Sequence, residues 1–304
     1  MRNPLVKLIS LQYKEFNPGR TVCVWMFLIV VLLLGCGAGD TIITLASLSN
    51  PIHIVVETNT GGATALVLEQ QSGVISRINL DTLEVTGTLI TGLNNPEGFA
   101  IEPGGPGETS VLVIENTVPV RLVKANLSNK NISNLCPPLN LNSPTGMVRE
   151  NNGDVLVTTN GGLFRINFNQ GGCIVTRVDS NLSNLTGIAL ELSTNSVLVT
   201  NSSDGKLIRI SLDNSSPPED LALNLMSPSG VAPLSTGGAL VVQTGNGSVV
   251  KIAGSQLPSP STIVTTIKTG LNSPRGIALN SQENTAFVTE TNPGQIVQIS
   301  IPFP

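Results

Sequence analysis

Past residue 40 the chain is a succession of short apolar runs broken by Asn, Gly, Pro and Ser, with no sustained helical period. Six runs share one shape: TALVLEQ (64–70), SVLVIEN (110–116), DVLVTTN (154–160), SVLVTNS (196–202), GALVVQT (238–244) and TAFVTET (285–291). After a turn containing Gly or Pro, each is followed by an alternating segment: GVISRINL from 73, VRLVKANL from 120, GLFRINF from 162, GKLIRISL from 205, GSVVKIAG from 247 and GQIVQISI from 294. Alternation with Val, Ile and Thr, bounded by turn residues, predicts half-buried β-strands.

A third element precedes these two. GLNNPEGFAI (92–101), NLNSPTGMV (140–148), NLMSPSGVA (224–232) and GLNSPRGIAL (270–279) are versions of one phrase, Asn/Ser-Pro-x-Gly followed by a short apolar strand. NLTGIAL carries Leu185 in place of the Pro, and SLSNPIHIVVE carries His53 in place of the Gly. Aligned on His53, Gly98, Gly146, Gly187, Gly230 and Gly276, six units recur 41 to 48 residues apart. A fourth strand, such as CIVTRV or TIVTTI, leads into the next phrase. Four antiparallel strands per unit, six times over, predict an all-β, six-bladed β-propeller. The sixth unit has three strands before Pro304, and TIITLASL (41–48) resembles a fourth strand. The N-terminal strand is therefore expected to complete the last blade, which hides sheet edges.

The first 40 residues differ in kind. Arg2, Lys7, Lys14 and Arg20 precede an uncharged run, TVCVWMFLIVVLLLG, that ends in Leu-Leu-Gly-Cys at Cys36. A basic region followed by a short apolar run reads as an export signal. The ending resembles a bacterial lipobox, which implies lipidation of Cys36, stable anchoring by several acyl chains, and a place in the cell envelope at the outer membrane facing the periplasm. The chain divides into a signal (1–35), a linker (36–40) and the propeller (41–304), with blades beginning near 51, 96, 144, 185, 228 and 274. In an exported compartment Cys136 and Cys173 are able to form a disulfide. Only 12% of residues are charged and the net charge is −4, with the basic residues scattered. That excludes the basic stripe of a nucleic-acid binder. The GGPG at 104–107 is not followed by Lys, so it reads as a hairpin loop and not as a phosphate cradle.

The combination SPRGIAL, TAFVTET and GQIVQISI resembles the NHL and SMP-30 (gluconolactonase-like) group of six-bladed propellers, over nearly all of 41–304. In such folds the start of the first strand and the end of the second lie on one face, so two rings of residues are implied. The inner ring is the x of Pro-x-Gly: Ile52, Glu97, Thr145, Thr186, Ser229 and Arg275. The outer ring closes the second strand: Glu69, Glu115, Thr159, Asn201, Gln243 and Glu290. Glu97 and Arg275, the only charges of the inner ring, are candidates to pair or to be bridged by a polar ligand. His53, the only His, is a candidate base or metal ligand.

Lactonases of this group hold a divalent cation on the axis with Glu, Asn and Asp, and Glu97 resembles the Glu of that set. Ca²⁺ or another divalent cation is the cofactor so implied. A propeller lyase would want a His base together with a metal. Thr145, Thr186 and Ser229 depart from the lactonase pattern and Arg275 opposes a cation. The expectation is a lipid-anchored, non-catalytic propeller binding a protein, glycan or small molecule on this face; the alternative is a metal-dependent hydrolase, lactonase or lyase.

Overall fold

The structure is a computed structural model that describes residues 44–302 except 58–62, 103–108, 169–171, 180, 192–193, 214 and 254–263. The signal, the lipobox with Cys36, the linker, positions 41–43 and the GGPG loop lie outside the described residues. The described residues belong to one compact unit, Asp40–Pro304.

Strand β1 (Thr44–Ala46) comes first. Blade 1 follows with β2 (Pro51–Val56), β3 (Thr64–Glu69), β4 (Val74–Asn79) and β5 (Val85–Ile90). Blade 2 is β6 (Pro96–Glu102), β7 (Ser110–Glu115), β8 (Arg121–Asn126) and β9 (Ile132–Asn134). Blade 3 is β10 (Pro144–Arg149), β11 (Val155–Thr159), β12 (Gly162–Asn167) and β13 (Ile174–Arg177). Blade 4 is β14 (Leu185–Glu191), β15 (Ser196–Asn201), β16 (Lys206–Ser211) and β17 (Glu219–Ala222). Blade 5 is β18 (Pro228–Pro233), β19 (Gly238–Gln243), β20 (Ser248–Ala253) and β21 (Val264–Lys268). Blade 6 is β22 (Pro274–Leu279), β23 (Thr285–Glu290) and β24 (Gln295–Ser300), with β1 as its fourth strand. Every blade is a four-stranded antiparallel meander.

The N-terminal strand closes the ring as the sequence implies. Thr44, Leu45 and Ala46 pair with Val297, Ile296 and Gln295. Beyond β1, the Leu48 amide donates to the Gly294 carbonyl at 3.0 Å, as Leu93 does to Gly73, Leu225 to Gly205 and Leu271 to Gly247. Gly294 has φ of 87° and sits against the Leu48 carbonyl, where a Cβ would collide.

The second strands are not half-buried, as alternation suggested. All six positions of β7, β15 and β19 are buried. Each strand faces two blade interfaces at once, so both of its sides are apolar. Leu112 and Ile114 pack toward blade 3, with Met147 and Val157. Val111 and Val113, which alternate with them in sequence, pack toward blade 1, with Leu68 and with Phe99 of their own blade. Six apolar clusters result, each centred on an interface between neighbouring blades. Of the fourth strands, β5, β9, β13 and β21 lie largely toward solvent, β9 throughout, whereas β17 buries Leu221 and Ala222.

Two further devices tie the elements. Cys136 and Cys173 form a disulfide, Cα–Cα 5.5 Å, between the outer segments of blades 2 and 3. At the far end of the inner strands, Glu57, Glu150 and Glu191 each take a two-pronged hydrogen bond from Arg77, Arg165 and Arg209 on the third strand of the same blade. The charge-assisted fork fixes the inner strand to the sheet at that end.

Candidate functional site

The Pro-x-Gly phrase is a β-bulge in all six blades, including blade 4 with Leu185 for its Pro and blade 1 with His53 for its Gly. The register between inner and second strands shifts between Pro51 and His53, Pro96 and Gly98, Pro144 and Gly146, Leu185 and Ile188, Pro228 and Val231, and Pro274 and Ile277. A bulge leaves one residue out of the ladder and re-aims its side chain. In blades 1 to 3 the residue so released is x, in blades 4 to 6 both x and the Gly after it, and x turns toward the axis. The residue before the phrase has a left-handed backbone in all six blades, Asn50, Asn95, Ser143, Asn184, Ser227 and Ser273, with φ from 46° to 54°.

Where the inner strands begin, their released side chains line a cavity of about 260 Å³. All six inner-ring residues, Ile52, Glu97, Thr145, Thr186, Ser229 and Arg275, line it, and so does His53. None of the outer-ring residues does. Glu69, Glu115, Thr159, Asn201, Gln243 and Glu290 are buried in the turns of their own blades. Glu69 accepts the Ser49 amide at 2.7 Å, Glu115 the Asn94 amide at 2.7 Å, and Gln243 the Met226 amide at 2.6 Å. Glu290 accepts the Asn272 amide in the same way, and Asn201 donates to the Ser183 carbonyl at 3.0 Å. Thr159 closes its own hairpin through Gly161 and Gly162. Five of these side chains thus grip the chain two residues ahead of an inner strand, which holds the inner ring in position.

The inner ring divides into two walls. On blades 3, 4 and 5 the hydroxyls are spent on the next blade. Thr145 donates to the Leu185 carbonyl at 2.7 Å, Thr186 to the Pro228 carbonyl at 2.9 Å, and Ser229 to the Arg275 carbonyl at 3.1 Å. Thr158 and Thr200, one residue before the outer ring, add bonds to the carbonyls of Thr186 (3.0 Å) and Ser229 (2.6 Å). Thr244 donates to the Pro274 carbonyl at 2.6 Å.

On blades 6, 1 and 2 the groups are different. Arg275 is exposed in the cavity and has no hydrogen-bond or ion-pair partner among the described residues. Glu97 is partly buried; its Oε1 accepts from Gln70 Nε2 at 2.8 Å and Asn116 Nδ2 at 3.4 Å. Burial holds the Glu97 carboxyl above the usual carboxylate range, against the pull of the Asn116 amide, the Arg275 charge and the Gln70 amide. The two charges do not form an ion pair. His53 Nδ1 accepts the Phe99 amide at 3.3 Å, and the two rings meet edge to face at 5.1 Å. Burial lowers the imidazole to about 4, so it is neutral near pH 7. With Nδ1 accepting, its proton sits on Nε2.

Sequence reasoning missed Thr158, Thr200 and Thr244, and missed Gln70 and Asn116 as the holders of Glu97. The last two, like Thr244, directly follow the outer ring. A third ring, counted one residue further along each repeat, contains all three.

A divalent cation does not fit this donor set. Oxygen-ligated Ca²⁺ wants six to eight oxygens. Glu97 is the only carboxylate in the cavity wall, and Arg275 stands beside it. Glu69, Glu115 and Glu290 are held apart in separate turns, and among the described residues no three His, Cys, Asp or Glu side chains converge.

No protein-family model matches the sequence, and no curated protein matches it. Solved structures do. A luciferin-regenerating enzyme is 13% identical with a TM-score of 0.67, over 86% of this chain and 96% of that one. A gluconolactonase from Xanthomonas campestris is 11% identical with a TM-score of 0.65, over 86% and 90%. Virginiamycin B lyase from Staphylococcus aureus is 17% identical with a TM-score of 0.58, over 86% and 99%. Six closed four-stranded blades and these likenesses agree on architecture: the chain is a six-bladed β-propeller, folded like the gluconolactonase-like and virginiamycin B lyase propellers.

Proposed function

We propose that this protein is an exported propeller, anchored through lipid on Cys36 at the outer membrane facing the periplasm, that binds a ligand without catalysis at the mouth of its axial channel. The observation that carries the reading is Arg275, a guanidinium left without a partner among the described residues inside a concave site. A cavity with a few convergent polar groups is where a ligand binds by default, and a group of that kind gains most when a ligand completes its hydrogen bonds. Catalysis by His53 is disfavoured by its lowered basicity and by the Phe99 amide on its acceptor nitrogen.

A second reading, a hydrolase, lactonase or lyase, has one feature on its side. Glu97 is raised above the ordinary carboxylate range by burial, as catalytic acids are. The two readings separate in one experiment. Detergent-solubilised full-length protein is melted against a panel of amino acids, sugars, lactones and organic acids. The hit should stabilise the wild type and not Arg275→Ala, and NMR should recover it unchanged. Conversion of the hit, abolished by Glu97→Gln, would move the assignment to an enzyme. Equal stabilisation of wild type and Arg275→Ala would remove the site altogether. The anchor has its own check: radiolabelled palmitate should enter the wild type and not Cys36→Ala, and an unlabelled wild type would end that part of the proposal.

A further inference from the structure

The chemistry of the cavity narrows the class of ligand, on the reading that the cavity is a ligand site. It carries one positive and one negative group, Arg275 on β22 and Glu97 on β6, on the two blades that flank blade 1. No other charged side chain lines it, and His53 between them is neutral near pH 7. Arg275 is near enough for its charge to act on Glu97, yet the pair forms no salt bridge. Each group therefore keeps unsatisfied capacity toward the cavity.

Charge balance then discriminates between ligands. A simple anion is attracted by Arg275 and repelled by Glu97. A simple cation meets the reverse. Only a ligand with both charges is favoured by both groups, and the repulsive member of the pair rejects the single-charge analogues. Size and lining sharpen this further. At about 260 Å³ the cavity holds roughly nine water volumes, the scale of a ligand of about ten heavy atoms. Ile52, Ile188, Val231 and Ile277 supply aliphatic wall. The hydroxyls of Thr145, Thr186 and Ser229 already donate to backbone carbonyls, so that wall does not compete for the charged end of a ligand.

We propose that the cavity takes a zwitterionic α-amino acid with a small aliphatic side chain, its carboxylate on the Arg275 guanidinium and its ammonium on Glu97. The guanidinium fork matches a carboxylate with two parallel hydrogen bonds. The two side chains need not approach one another, because the ligand bridges them.

The test is calorimetric titration of the full-length chain in detergent with three probes of one shape: L-leucine, 4-methylpentanoate and 3-methylbutylamine. Leucine should bind at least about tenfold more tightly than either single-charge probe, the scale of one charge-assisted hydrogen bond. Glu97→Gln should weaken leucine and tighten 4-methylpentanoate; Arg275→Gln should weaken leucine and tighten the amine. These gains are results that a misfolded variant cannot give. Leucine binding no better than 4-methylpentanoate, or Glu97→Gln leaving 4-methylpentanoate unchanged, overturns the proposal. Arg275-dependent binding of 4-methylpentanoate alone would do so while leaving the cavity a ligand site for simple anions. Failure of all three probes also overturns it, and the wider panel then judges the site independently.

Discussion

His53 occupies the place that Gly holds in the other five blades, and its surroundings explain why a side chain is accommodated there. A Cβ on Gly146 would come within 2.9 Å of the Thr186 carbonyl, and one on Gly276 within 2.8 Å of the Ile52 carbonyl. Between blades 1 and 2 the imidazole fills the gap against the Phe99 ring and accepts the Phe99 amide. That bond needs the neutral ring. The folded value of about 4 lies below the ordinary 6.5, so the unfolded chain binds the proton first as pH falls. Stability from this residue is complete above about pH 6.5 and is lost progressively toward pH 4, by about 1–3 kcal/mol. Glu97, with its pKa raised, works in the opposite sense: its folded state holds a proton more readily and gains as pH falls. His53→Gln keeps an acceptor for Phe99 and cannot titrate. Urea midpoints taken at pH 7 and about pH 4.5 should therefore drop further for the wild type than for His53→Gln, and parallel drops would show that the imidazole carries no such linkage.

At the scale of the strand, the bulge at Pro-x-Gly does two jobs. It turns x into the channel, and it brings the backbone of each inner strand against the next blade. Membership of the inner ring was legible because the phrase repeats, and every residue so counted lines the cavity. What each side chain does there was not legible. Thr145 reaches the Leu185 carbonyl, 40 residues away in sequence, and Thr186 reaches the Pro228 carbonyl, 42 away. A hydroxyl spent on a neighbouring blade and a hydroxyl open to a ligand look alike in one dimension. The outer ring is the same lesson in reverse. Glu69, Glu115 and Glu290 count in sequence as part of a ring on the binding face, yet each accepts a backbone amide of its own blade. Gln243 does the same in blade 5 without a charge, through Met226. In these four blades the position supplies an oxygen acceptor, charged or not, while Asn201 donates from it in blade 4. The apolar alternation misled for a comparable reason: period two identifies a strand but does not say whether one neighbour or two will cover it.

For the molecule as a whole, the blade count and the closing partner followed from the repeat alone, since each unit needs a neighbour on both sides to bury its apolar faces. Closure by a non-covalent strand raises the question of whether the sixth blade is weaker than the rest. The strand itself is short, β1 pairing over three residues where β21 pairs over four, but the turn that latches it matches. Leu48 meets Gly294 with the same amide-to-carbonyl bond, 3.0 Å, that joins Leu271 to Gly247 at 2.9 Å inside the continuous chain of blade 5. Both glycines have positive φ, 87° and 63°, and at both a Cβ would collide with the Leu carbonyl. Gly294→Ala and Gly247→Ala therefore impose matched strain, each expected to cost about 2–4 kcal/mol. Urea unfolding followed by far-UV circular dichroism should show one transition for each variant, displaced from wild type to the same degree within about 1 kcal/mol, because the same collision with a Leu carbonyl is imposed at equivalent turns. If the closing pair were a loose latch, Gly294→Ala would cost clearly less than Gly247→Ala, or would split off an early transition as blade 6 opened before the other five.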